Sequence, residues 1–456
     1  MNTFLLTPYR PTDAEPWNLE RAWTLRRRAG FAATWAELER DLADGPEKAV
    51  DRVLDGSCRL AGVPSDFART AELLGDAAAG SSDARRLQAW WLFRCLFTHD
   101  PLQERLTLAW HDHFATSQVK VDDVGAMHRQ NETFRKLGRG PFGDLLRALL
   151  HDPALLAWLD APSNRKEKPN ENLARELMEL FTLGVGRYSE NDVKEAARAL
   201  TGLGVTQGRF VMRADRHDDG VKTVLGKTGN LDPDALANLL LAQPAVADRL
   251  AWRLCNTFLG ENVADAPAQA ALAEQLRGDG LHVGRAVETI LRSRIFFGPR
   301  NLHSRICDPV GFVVGSIRAL ECFAPRPPST LLLAEWTERL GQPLFFPPNV
   351  GGWPGGRGWL SGRGVVARAN FAAALAEGRL HADGKPPDFA SLAERTVKTR
   401  EPDAALKLVS EVLSGRVLDP SSADAIQRSA GDAGPANDRL NRAVALLLAR
   451  PESQLV

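Results

Sequence analysis

The sequence predicts a mainly α fold, a large multi-helix bundle with a short β-hairpin and one long Gly/Pro/Trp-rich loop. Three observations predict it. Apolar residues recur at three- and four-residue spacing through most of the 456 positions, as in helices with one buried face. Strand-like runs are confined to GRFVM around Phe210 and KTVLG around Val224, on either side of the polar RADRHDDG, so they predict a single small hairpin. Glycine and proline concentrate in PLFFPPNVGGWPGGRGWLSG, residues 343–362. The simplest organisation is a single mostly helical domain over residues 1–456, with N-terminal helices to 80, a helical core over 84–323, and the loop and C-terminal helices over 324–456.

From Glu15 to Leu54 the pattern is of short amphipathic helices, broken at Gly30 and Gly45 and restarted at Thr34. Gly56 to Asp83 is looser and richer in small residues. Ala84 to His99, with Trp90, Trp91, Phe93 and Leu96, begins an apolar helical pair that continues past Pro101 as LQERLTLAWHDHFATS. Val119 to Asn131 reads as a polar connection, and Glu132 to Leu159 returns to helical spacing. The central helix is KPNENLARELMELFTLG, 170–184 with its flanks: Pro169 and Asn170 punctuate its start and Gly184 its exit. SENDVKEAARALTG then has an N-cap at Ser189 and a helix to about Gly202. Asp232 to Phe323 is again helical, Pro325 to Pro328 marks a break, and the last helices are interrupted by a polar stretch over Ser421 to Asn437.

Composition narrows the function classes. With 57 basic and 57 acidic residues the chain carries no net charge, so nothing predicts a chain-wide nucleic-acid or anionic-membrane binder. The five cysteines are scattered, odd in number and never in a CxxC pair, which predicts reduced core residues rather than a disulfide framework or structural zinc. No run reaches the ~18 apolar residues of a membrane span. The opening MNTFLLTPYRPTDAEPW is too briefly apolar for a secretory signal, and no hydrophobic stretch follows Arg26 to Arg28; the expected location is cytoplasmic.

Three segments could carry chemistry. Projected at about 100° per residue, Leu173, Leu177, Leu180, Phe181 and Leu183 make the central helix mostly buried, with Glu176 inside the apolar arc and Asn172 and Glu179 at its edge. A carboxylate there needs a metal, an arginine or a histidine, and a buried pair with Arg198 is the structural alternative. In the Pro101–Phe114 helix, His113 falls on the line of Leu102, Leu106 and Ala109 while His111 projects to the opposite side. Histidines at i and i+2 cannot both chelate one ion from a regular helix. His217 and Asp218, between the strand-like runs, suit a metal ligand or general base and equally an ordinary solvated turn. In the glycine-rich loop Trp353 and Trp359 offer aromatic surface; with Asn172 and Asn349 they are the candidate substrate pocket. The loop lacks the lysine and hydroxyl of a phosphate loop.

With those residues in view, the chain resembles the bacterial family catalogued as domain of unknown function 1800. The resemblance rests on RRAGF at Arg28, AWHDHF at Ala109 to Phe114, the long block NENLARELMELFTLGVGRYSENDVKEAARALTG from Asn170, RHDDGVKTVLG from Arg216, PPNVGGWPGG from Pro347 and the closing ALLLARPESQ. Relatives usually have asparagine where Asp112 stands, tryptophan at Leu203 and often a second histidine at Arg216. The resemblance implies the fold and the choice of site residues but no reaction. Members are often exported and encoded beside sulfatase- and phosphatase-like proteins, so a neighbouring-gene protein of that kind is the partner it suggests.

The first expectation is a metal-dependent enzyme, an oxidoreductase or a hydrolase using iron, manganese or zinc. His113, Glu176 and Glu179 would be its ligands, and His111, His217 and Asp218 its catalytic groups. The second is a non-catalytic helical scaffold whose tryptophan loop binds a protein. A third is a haem held by His111 or His113, without an attachment motif.

Overall fold

The computed structural model describes residues 6–58, 66–323 and 327–456, so part of the break expected at Pro325 to Pro328 lies outside the described residues. The architecture is mainly α, with helices from Leu19–Arg28 to Ala436–Ala449 and two small antiparallel sheets. Local chemistry sets many of the helix starts. Thr34 and Glu37 form a reciprocal capping box, as do Ser189 and Asp192. Asp100 accepts from the Gln103 amide at 3.0 Å ahead of Pro101, whose missing N–H costs nothing in a first turn.

Two hydrophobic cores meet along the helix Pro101–His113. Leu102, Leu106 and Trp110 pack into one core with Phe142, Leu146 and Phe181, while Leu108 enters the other with Trp91, Phe312 and Leu375. At roughly 1.5–3 kcal/mol for each large side chain removed from water, these two contacts hold the helix rigidly between the halves. The polar residues between its apolar stripes are thereby brought to the seam.

The structure departs from the sequence reading in five places. Val119 to Asn131 is not a connection: the helix Val124–Leu137 starts inside it, and its polar Gln130 and Asn131 face inward. Gln130 donates to Asp152 at 2.7 Å and to Thr116 at 3.2 Å, so its buried side lacks the apolar period that marks most helices. The loose stretches around Gly56–Asp83 and Ser421–Asn437 likewise contain the helices Phe67–Ala79 and Pro420–Ala430.

The single hairpin is two. β1 (Leu203–Thr206) pairs with β2 (Arg209–Met212), and β3 (Lys222–Val224) with β4 (Lys227–Gly229). Each turn has two central residues at positive φ, Gln207 and Gly208 in the first, Leu225 and Gly226 in the second. That is the geometry whose twist matches a two-residue hairpin.

The central helix is also not a regular α-helix. Asn172–Glu176 is α, but Leu177–Thr182 is wound as π, with the Leu183 amide donating to Met178 O at 2.8 Å. Beyond Leu177 the angle per residue is therefore smaller than the about 100° of the projection. Glu176 comes out half-buried instead of inside the apolar arc, while Glu179 is half-buried, as its place at the edge predicts.

Candidate functional site

The glycine-rich loop is folded down onto the helix Pro101–His113. Asn349 starts the turn, its side-chain oxygen accepting from the Gly351 amide at 2.8 Å and its carbonyl from the Gly352 amide at 3.1 Å. The Trp353 amide then donates to Asp112 Oδ1 at 2.8 Å. Arg253, on the helix Pro244–Phe258, donates to Asp112 Oδ2 at 2.6 Å and to Ala109 O at 3.1 Å. Gly352, at φ 87°, sits so close that a Cβ would collide with the Asp112 carboxylate and backbone oxygen. A Cβ on Gly356 would strike the carboxylate of Glu261.

Beneath the loop lies a cavity of about 520 Å³. One wall is Arg105, Ala109 and Asp112, another is Trp252, Arg253 and Asn256, and Trp353, Pro354 and Trp359 close the roof. Arg305 and Asp308 line it as well. Asp308 caps the helix Pro309–Ala319 by accepting from the Gly311 amide at 2.8 Å, and it takes Arg105 Nη1 at 2.7 Å. Burial disfavours its charge, yet Arg105 and Arg305 outweigh burial and hold its carboxyl below the ordinary value. Arg305 is in the converse position. Burial lowers its pKa, Asp308 opposes that, and the neighbouring Arg105 and Arg253 add to it. Among the described residues, its guanidinium hydrogen-bonds to the Thr257 carbonyl alone.

The residues singled out by sequence are dispersed. His111 lies among the rings of Trp91, Phe345 and Trp353, where its Nε2 accepts from the Phe345 amide at 3.2 Å. The ring proton is therefore on Nδ1, and burial pushes the pKa down to about 3. His113 does point the other way, among Phe114, Phe142 and Phe181. Its Nε2 is 3.1 Å from the Phe181 carbonyl and so carries the proton; burial, then Arg253 and Arg249, push its pKa well down.

On the central helix, burial and then the charge of Glu179 raise the Glu176 carboxyl, opposed by Arg175. Glu179 accepts from the Tyr188 hydroxyl at 2.5 Å. Arg198, the alternative partner for Glu176, is instead bound to Glu195 and Asp218. His217 donates from Nδ1 to the Thr201 carbonyl at 2.8 Å, and Asp218 takes Arg198 through both oxygens and the Gly220 amide, which makes this segment an ordered turn. Asn172 donates to Asp160 at 3.0 Å.

Of the expected site residues, only Trp353 and Trp359 line the cavity under the loop. His113, Glu176 and Glu179 do not form a metal set: among the described residues no three His, Cys, Asp or Glu side chains gather where an ion could be held. The sequence reading also missed Arg105, Asp112, Arg253, Arg305 and Asp308. Asp112 had a signal, its place between the two histidines of AWHDHF; the arginines had none, being lost among 57 basic residues. Among the described residues, no helix is long and apolar enough to cross a membrane.

The family model described as protein of unknown function (DUF1800) matches residues 24–455. No curated protein and no solved structure matches.

Proposed function

The chain belongs to the DUF1800 family, and from that premise we propose that it is a small-molecule-binding protein whose ligand occupies the cavity beneath the glycine-rich loop. The observation that carries this reading is how the loop is anchored. Asp112 takes the Trp353 amide, and glycines stand at 352 and 356 where any side chain would collide, so the loop is pressed against its supports. Yet it spans about 520 Å³ of space instead of filling it. That volume falls within the range of roughly 300–1,000 Å³ typical of ligand sites, and the lining mixes aromatic faces with a few fixed polar groups.

The lining favours binding over acid–base chemistry. Asp112 is committed to Arg253 and the Trp353 amide, and Asp308 to Arg105 and the Gly311 amide. His111 and His113 are buried, neutral at physiological pH and fixed in their tautomers by backbone groups. None of these is a base poised toward the cavity. Docking of a protein onto the loop's tryptophans has less support, because Trp353 is 7% and Trp359 6% exposed.

The test is a ligand-observed NMR screen of a fragment library against the full chain and an Asn256→Trp variant, which fills the cavity from its wall. Hits that bind the parent and are lost in a folded variant are expected. Hits indifferent to the blockade would place binding elsewhere and sink the proposal.

A further inference from the structure

Asp308, on the floor of the cavity, has more guanidiniums around it than it can neutralise: Arg105 and Arg305, which line the cavity with it, and Arg27 and Arg368, which do not line it. Arg27, Arg105, Arg305 and Arg368 all act electrostatically on or with Asp308. Only Arg105 makes an ion pair with it, at 2.7 Å. Arg27 is bound to the Phe31 carbonyl and the Cys307 thiol, Arg368 to Gln454 and the Cys307 carbonyl, and Arg305 to the Thr257 carbonyl; all of these are neutral acceptors. The second carboxylate of the wall, Asp112, is already matched by Arg253, and Glu261 stands at the exposed rim below Gly356. The chain as a whole has no net charge, so this local excess does not reflect a generally basic protein.

Several guanidiniums held out of water around one carboxylate are costly unless a further anion joins them. Arg27 and Arg368 are sealed in, whereas Arg305 is only partly covered and lines the cavity. The guanidinium fork matches the oxygens of a phosphate or sulfate group better than any single-point contact. Resting on the reading of this cavity as a ligand site, we infer that its ligand carries a multivalent oxyanion, of the phosphate or sulfate class, seated against Arg305 with the rest of the molecule toward Trp252 and the loop.

Isothermal titration of the full chain with inorganic phosphate, sulfate and acetate at matched ionic strength tests this. Saturable one-to-one binding of phosphate or sulfate, at least tenfold tighter than acetate and weakened at least tenfold by Arg305→Gln, is expected. Asn256→Asp supplies a carboxylate from within the wall; it should abolish anion binding and raise the thermal midpoint, and it keeps the test decisive if Arg305→Gln fails to fold. Acetate binding as well as sulfate, or dianion binding untouched by both variants, overturns the inference. Neutral fragments that occupy the cavity while no oxyanion binds would overturn it too and leave the ligand-site reading standing. A cavity that takes neither would remove both.

Discussion

Asp112 holds the loop through a single short contact, the Trp353 amide donating to its Oδ1 at 2.8 Å, while its other oxygen is taken by Arg253 at 2.6 Å. The two contacts are separable by mutation. Asp112→Asn keeps an oxygen for the amide and gives up the partly exposed ion pair and its hydrogen bond to Arg253, which retains the Ala109 carbonyl, so it should cost about 1 kcal/mol. Asp112→Ala leaves the Trp353 amide without a partner and Arg253 with only the Ala109 carbonyl, and should cost about 1–3 kcal/mol. It should also release the loop, seen as a red shift of tryptophan emission and new protease cleavage between Pro347 and Gly362. Equal stability and equal cleavage for the two variants would mean that the contact does not hold the loop.

Gly352 and Gly184 share a φ of 87° but differ in their surroundings. Nothing lies within 4 Å of a Cβ built on Gly184, whereas on Gly352 it would meet Asp112, including a backbone oxygen that cannot rotate away. Gly184→Ala should therefore cost only the left-handed strain, about 1–2 kcal/mol. Gly352→Ala should cost more than that and expose Trp353. Chemical unfolding of both variants side by side separates strain from collision; a Gly352 variant no worse than the Gly184 one would show that the loop is not pressed onto the helix.

What the sequence made legible was whatever obeys a period or a cap. The helix Pro101–His113 and the helix starts at Thr34 and Ser189 follow from local rules that hold in the structure. Where local rules failed, the cause can be named. The π winding from Leu177 changed the angle per residue, so Glu176 could not be placed by projection against Leu180 and Leu183. Gln130 and Asn131 gave a buried face polar residues, which hid a helix. The cavity was harder still, because Arg105, Arg253 and Arg305 are brought together from three separated segments, and no spacing within one segment marks them.

His111 should make the protein acid-labile. Its folded pKa is about 3 against 6.5 for the free imidazole. A depressed value means that the stability it contributes is complete above about pH 6.5 and is lost as pH falls toward 3. At pH 5 the deficit is about 2 kcal/mol for this one group. His111→Gln can still offer an oxygen to the Phe345 amide without binding a proton. Its stability should fall less steeply between pH 6.5 and 4 than that of the parent, although His113, also depressed, keeps part of the slope. Parallel curves would show that His111 is protonated in the fold. His111→Phe, which leaves the Phe345 amide unpaired, should cost about 1–3 kcal/mol at pH 7.

Asp152 should act in the opposite sense. It is buried at the start of the helix Pro153–Trp158, accepting from the Leu155 amide at 2.8 Å and from Gln130 at 2.7 Å through the same oxygen. Burial raises its pKa to about 6 from 3.8, only partly offset by those hydrogen bonds. A raised carboxyl holds its proton more tightly in the folded state, so its favourable contribution is complete below about pH 3.8 and is lost as pH rises through 6. Fully ionised, the group burdens the fold by about 3 kcal/mol. Asp152→Asn keeps the oxygen that both donors use and cannot ionise. Denaturation at pH 4 should find the variant close to the parent, and at pH 8 more stable by about 1–3 kcal/mol. A variant less stable at pH 8 than at pH 4, relative to the parent, would mean that the ionised carboxylate is the form the fold prefers, with Gln130 and the helix start outweighing its burial.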